Sequence, residues 1–294
     1  MRNSTLLIIW IILLSLFSCE KNDNDSEITD GFSLAISDSL IYNSSQIDFY
    51  DFSSHLIYLK TGDFTFSDFG GFSVSVDNET IYTGQMFPLY SSYLPTGPVI
   101  RCSPTFYDDF IIPIDFFQVT DSEGNTNEDP RNDIRIIEAL KKYNQYRQGL
   151  SLEILSLEKL SSNKLALTIQ ITNHDSDVLL ILDPEKMGIE LFHYFTNGLT
   201  IVDSFNNSYT HKITPAQPNS YDSWDDDWFA SIKGNETKTI AITYNDFESF
   251  PSGQYSIRFV YPGMGSQIDR EDLEQSNGRI WLGKLYLNKL IDLE

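Results

Sequence analysis

Between residues 165 and 172 apolar and polar side chains alternate without a break: Leu165, Leu167, Ile169 and Ile171 against Ala166, Thr168, Gln170 and Thr172. A period of two sends successive side chains to opposite faces, so this stretch predicts a strand with one buried face. Phe72, Val74 and Val76 alternate with Ser73 and Ser75 in the same way, and Asp77-Asn78 turns the chain into Glu79-Thr80-Ile81-Tyr82-Thr83 as a hairpin. Ile47–Tyr50 and Leu56–Leu59 are rich in β-branched and aromatic residues, and Phe110 to Val119 is apolar, with Pro113 marking an edge or a bulge. Gln85 to Arg101, holding Pro88, Pro95, Gly97 and Pro98, reads as a long loop.

Helical spacing enters at Asp129, a capping residue with Pro130 in the first turn. Ile134, Ile137 and Leu140 share a face, Lys141, Lys142 and Arg147 lie toward the C-terminal end, and Gly149 closes the element. Beyond it, Val178–Leu182, Gly188–Phe195, Leu199–Val202, Phe229–Ile232, Lys238–Tyr244, Tyr255–Tyr261 and Ile280–Leu287 are expected strands. Strands at roughly ten-residue spacing with turns between them predict a sandwich or barrel. The expected fold is mainly all-β: two antiparallel β-sandwich domains, at 31–128 and 149–294, joined by one α-helix over 129–148.

The opening residues break this pattern. Arg2 precedes an apolar run from Leu6 to Phe17, twelve residues against the about 20 that a spanning helix needs. That is the length of a signal-peptide core, here residues 1–18. Leu16-Phe17-Ser18-Cys19 resembles the lipobox of bacterial lipoproteins. The resemblance implies cleavage before Cys19, acylation of that cysteine, and the membrane as a partner through the acyl chains. Residues 19–30 then form a tether whose first part, Glu20 to Asp25, is charged and lacks apolar side chains for packing. Glu20-Lys21-Asn22-Asp23-Asn24-Asp25 resembles the lysine-plus-acidic export signal of some surface lipoproteins. Glu20 in place of Asp lacks the usual inner-membrane retention signal, so the expected location is the outer membrane, with surface display favoured over a periplasmic face. The tether reaches at most about 40 Å, which keeps the folded part close to the membrane.

Charge and cysteine content narrow the picture. The formal net charge is −22, a surface that repels phosphate backbones and argues against a nucleic-acid partner. With Cys19 acylated, Cys102 has no partner within the chain, so no intramolecular disulfide is expected. In Arg101-Cys102-Ser103-Pro104 the cysteine reads as a packed small hydrophobe rather than a nucleophile.

A second resemblance lies near the end. Lys233-Gly234-Asn235-Glu236-Thr237 and Pro251-Ser252-Gly253-Gln254-Tyr255 each lead into a strand, and Gly253-x-Tyr255 is similar to the tyrosine corner of immunoglobulin-like sandwiches. The resemblance implies an immunoglobulin-like second domain, without the Cys–Trp–Cys spacing of true immunoglobulin domains. It implies nothing about function.

No compact catalytic motif is present, and His55, His174, His193 and His211 lack metal-ligand spacing. Catalytic residues, metal and cofactor are therefore expected to be none. Asp121–Asp129 departs from an EF-hand loop, its glycine falling fourth rather than sixth, and reads as a turn-rich linker. The one candidate binding segment is Tyr221-Asp222-Ser223-Trp224-Asp225-Asp226-Asp227-Trp228. Tyr221, Trp224 and Trp228 offer flat apolar faces and Asp222, Asp225 and Asp227 offer oxygen acceptors, the combination that binds sugars. The aspartates alternatively suit Ca²⁺. The simpler account has Trp228 packing inward and the aspartates solvated. Phe87, Tyr90 and Tyr93 form a smaller aromatic group, read as core or rim packing. The expected function is a non-catalytic, lipid-anchored envelope protein with a binding or accessory role toward a polysaccharide or another envelope protein. The alternative is glycan binding through the Tyr221–Trp228 segment.

Overall fold

The computed structural model describes residues 30–36, 40–62, 64, 70–103, 107–118, 126–220, 223–264 and 268–293. Cys19, the leader and most of the tether lie outside the described residues, as do Tyr221, Asp222 and residues 121–125 of the linker.

The protein is mainly β, as its periodicity predicts. Five sheets build two cores. A six-stranded sheet runs in the order Leu40–Tyr42, Phe32–Ile36, Gly71–Val76, Glu79–Pro88, Gly97–Ser103 and Asp115–Phe117. It packs with the helix Ile134–Lys142 around the N-terminal core, to which Leu34, Val74, Ile100, Cys102, Ile136 and Leu140 contribute. Cys102 is buried there among apolar side chains. The C-terminal half holds three sheets. One contains Leu150–Ser161, Lys164–Asn173 and Thr237–Tyr244, another centres on Leu179–Leu182, and the third on Gly253–Tyr261.

Between the cores stands a four-stranded sheet of Tyr146–Arg147, Ile47–Asp51, Leu56–Leu59 and Ile111–Pro113. Its strands serve both sides: Leu56 and Tyr58 enter the C-terminal core, while Ile57 and Leu59 enter the N-terminal one. Ile111 and Ile112 divide in the same manner. A sheet covered on both faces needs apolar side chains at consecutive positions, which accounts for the unbroken runs at 56–59 and 110–114. Pro113 sits on the edge strand, where its missing N–H costs no ladder bond. The chain then crosses at Ile114 into the six-stranded sheet.

Several local expectations hold in detail. Lys164–Asn173 shows the predicted alternation of burial along its whole length. Asp77 and Asn78 adopt φ of 49° and 66°, the left-handed geometry of a tight hairpin turn. Separately from these expectations, Tyr255 donates its hydroxyl to the Pro251 carbonyl, four residues back, at 2.6 Å.

Others are corrected. Gly188–Phe195 is not a strand: Ile189–Phe195 is helical and follows the short helix Pro184–Met187. Asp183 caps that first turn by accepting from the Glu185 N–H, with Pro184 at the first helical position. Gln85 to Arg101 is not all loop, because Gln85–Phe87 pairs in parallel with Val99–Arg101. The Ile280–Leu287 stretch divides into strands Gly278–Ile280 and Leu285–Leu293. Asp129 caps a 3-10 turn, Pro130–Asn132, and Asp133 caps the helix itself. The helix ends at Lys142, with Tyr143 as its C-cap and Asn144 just beyond in the left-handed region at φ 57°, rather than at Gly149. Gly149 instead permits a close approach of backbone to side chain. At φ 74° it passes so near Ser53 and Asp51 that a Cβ would collide with both.

Candidate functional site

A cavity of about 620 Å³ opens where the two halves meet. It is lined by Ser53–His55, Arg101, Asp115–Phe117, Arg131 and Lys284–Tyr286. Each segment arrives for its own structural reason. Ser53, Ser54 and His55 form the turn between Ile47–Asp51 and Leu56–Leu59, Arg101 and Asp115 lie in the six-stranded sheet, and Arg131 belongs to the 3-10 turn. Lys284 precedes the last strand, held against the turn by Gly283, where a Cβ would collide with Ser54.

The charged groups are mostly fixed by one another. Arg101 Nε donates to Asp115 Oδ2 at 2.5 Å. Arg131 donates through Nε and Nη2 to the Asp129 carboxylate, at 2.9 and 2.6 Å for the shorter contacts, and through Nη1 to the Ile114 carbonyl. Its guanidinium also lies over the Phe116 ring, 5.7 Å from the centroid. Such bidentate pairs hold a side chain in one orientation. His55 shares a hydrogen bond of 2.9 Å between Nδ1 and the Tyr50 hydroxyl. Burial, reinforced by the Arg131 charge and opposed by Asp129, pushes its pKa down to about 3, so the imidazole is neutral at ordinary pH. Lys284 is half-buried and has no salt bridge among the described residues. Burial, followed by repulsion from Arg101 and partly offset by Asp115, holds its ammonium pKa below the usual lysine range. Ser54 Oγ is buried and has no hydrogen-bond partner among the described residues.

Behind this cleft a polar joint ties the halves together. Asp51, fully buried, accepts from Ser53 N–H at 3.0 Å, from Ser53 Oγ at 2.6 Å and from Trp281 Nε1 at 2.9 Å. Arg279 places its guanidinium 4.5 Å from the Phe49 ring centroid and 3.8 Å from Asp175 Oδ2. Ser53 Oγ is therefore committed to a carboxylate, and no serine-to-His55 hydrogen bond forms among the described residues.

The sequence-predicted segment lies elsewhere. Trp224 and Trp228 are half-buried and pack on the C-terminal core, against Phe229 at 6.0 Å and Phe195 at 6.1 Å between ring centroids. Asp225, Asp226 and Asp227 are exposed. Asp225 caps the turn Asp226–Trp228 by accepting from the Asp227 N–H at 3.0 Å. None of the described residues of this segment, 223–228, lines the cleft. Phe87 is buried with Tyr93 edge-on at 5.3 Å, and Tyr90 and Tyr93 are exposed.

One histidine pair and one serine–histidine pair were invisible in the sequence. His193, 3% exposed, lies 4.0 Å from His211 between ring centroids. Both His211 nitrogens are engaged, Nδ1 accepting from the Ile213 N–H and Nε2 donating to the Asn197 carbonyl. No group of three metal-ligating side chains exists among the described residues. Ser151 Oγ and His174 Nε2 lie 2.7 Å apart on an exposed face, outside the cleft.

No protein-family model and no curated protein matches the chain. Among solved structures, the yjhA protein from Bacillus subtilis is similar at 11% identity over 49% of this chain and 90% of that one. The TM-score is 0.22, a likeness too slight to bear on fold or function.

Proposed function

We propose that this protein is a lipid-anchored, non-catalytic binding protein of the bacterial envelope, and that its ligand occupies the cleft between the halves. The observation that carries the anchor is Leu16-Phe17-Ser18-Cys19 followed at once by a charged, apolar-free tract. No helix among the described residues is long and apolar enough to cross a membrane, and attachment through acyl chains needs none. A binding role is supported by the cleft: it has the volume of a small-molecule site, with its arginines held by carboxylates and its histidine by the Tyr50 hydroxyl. An immunoglobulin-like relation for the second half is supported by the Tyr255–Pro251 hydrogen bond, the contact that defines a tyrosine corner.

The decisive experiment replaces Cys19 with serine in the native host and follows membrane fractionation. The native chain partitions with outer-membrane lipid and the variant does not. Retention of the variant in the membrane fraction would sink the anchor.

A further inference from the structure

We infer that the cleft takes a small organic anion, a carboxylate or phosphate monoester carried on a body with an apolar face, and that Lys284 anchors its charge. This rests on the cleft being the ligand site.

The chain carries a formal charge of −22, yet the cleft lining holds three cations, Arg101, Arg131 and Lys284, against the single carboxylate of Asp115. Pairing leaves one charge over. Asp115 engages Arg101, Asp129 engages Arg131 from behind, and Lys284 has no carboxylate within salt-bridge distance among the described residues. A half-buried ammonium without a carboxylate at salt-bridge distance loses solvation that the more distant Asp115 only partly offsets. An anion in the cavity supplies what it lacks. Phe116, Phe117 and Tyr286 provide flat surface for the body of the ligand. The size of the anion is limited as well. The acidic surface repels a long polyanion along its length, whereas a small anion meets the cleft's own field within a Debye length of about 8 Å.

The test is calorimetric titration of the full chain, in detergent, with glucuronate, glucose 6-phosphate and their neutral counterpart glucose. At least one anion is expected to bind about tenfold or more tightly than glucose. Whichever anion does so identifies the carboxylate or the phosphate source. Lys284→Met weakens anion binding about tenfold and Lys284→Arg restores most of it, whereas Asp115→Asn, which frees Arg101, tightens it. Equal affinity for glucose and the anions, or indifference to Lys284→Met, overturns the anion inference and leaves the cleft as a site for neutral ligands. Binding that survives Phe116→Ala with Phe117→Ala places the ligand elsewhere and overturns the cleft reading too. Absence of binding by all three probes at millimolar concentration also overturns the inference.

Discussion

Trp281 donates its indole N–H to Asp51 Oδ2 at 2.9 Å across 230 residues of sequence, and both side chains are buried. Burial raises the Asp51 pKa, with Asp175 adding to the effect and Ser53, Arg279 and Trp281 opposing it. A carboxyl raised in the folded state supports folding below its unfolded pKa and withdraws that support as pH rises through the folded value. Trp281→Phe removes one of the donors that keep the ionised form tolerable. It is expected to cost about 2–4 kcal/mol and to widen the loss toward neutral pH. Thermal melts of both proteins from about pH 4 to about pH 8 check this, and parallel curves would refute it.

Acid acts through the histidines with the opposite sign. His193 is held down to about 4 by burial and by His211, and His55 to about 3. Between these values and the unfolded pKa the unfolded chain binds more protons, so stability falls as pH drops from about 6.5. His193→Phe should remove about 2 kcal/mol of the loss between about pH 7 and about pH 5. Urea midpoints at the two pH values measure it.

Tyr255→Phe deletes the hydroxyl that holds Pro251 while leaving the buried ring in place. The expected cost is about 1 kcal/mol, accompanied by faster amide exchange in strand Gly253–Tyr261. Unchanged exchange there would mean that the loop is held by its other contacts.

Trp224→Ala combined with Trp228→Ala strips two half-buried rings from the C-terminal core. The double variant should lose about 2–4 kcal/mol of stability and keep its affinity for any cleft ligand. A polysaccharide panel supplies the contrary outcome: binding abolished in a variant that melts like the parent would place a glycan site at these tryptophans.

The strands were legible where one face is wet and one dry. Lys164–Asn173 and Gly71–Val76 alternate because each shows solvent or a polar layer on one side. Leu56–Leu59 was recognisable as a strand, but its unbroken apolar run concealed which core each residue would join. Ile189–Phe195 defeated period counting because a short apolar run suits either period; Asp183-Pro184 just upstream was the available signal. The cleft was not legible at all. His55, Arg101, Arg131 and Lys284 come from four separate segments, and only the folding of the last strand against the first turns brings them together. In the sequence they are three scattered cations and one histidine against a strongly acidic background.

The middle sheet carries a consequence for how this chain can be cut or rearranged. A fragment ending before Gly149 would leave Phe49, Leu56, Tyr58 and Ile111 greasy and bare, and a fragment beginning there would lose part of its floor. Neither piece is a spare part, so any truncation or expression of this chain must keep the two halves together.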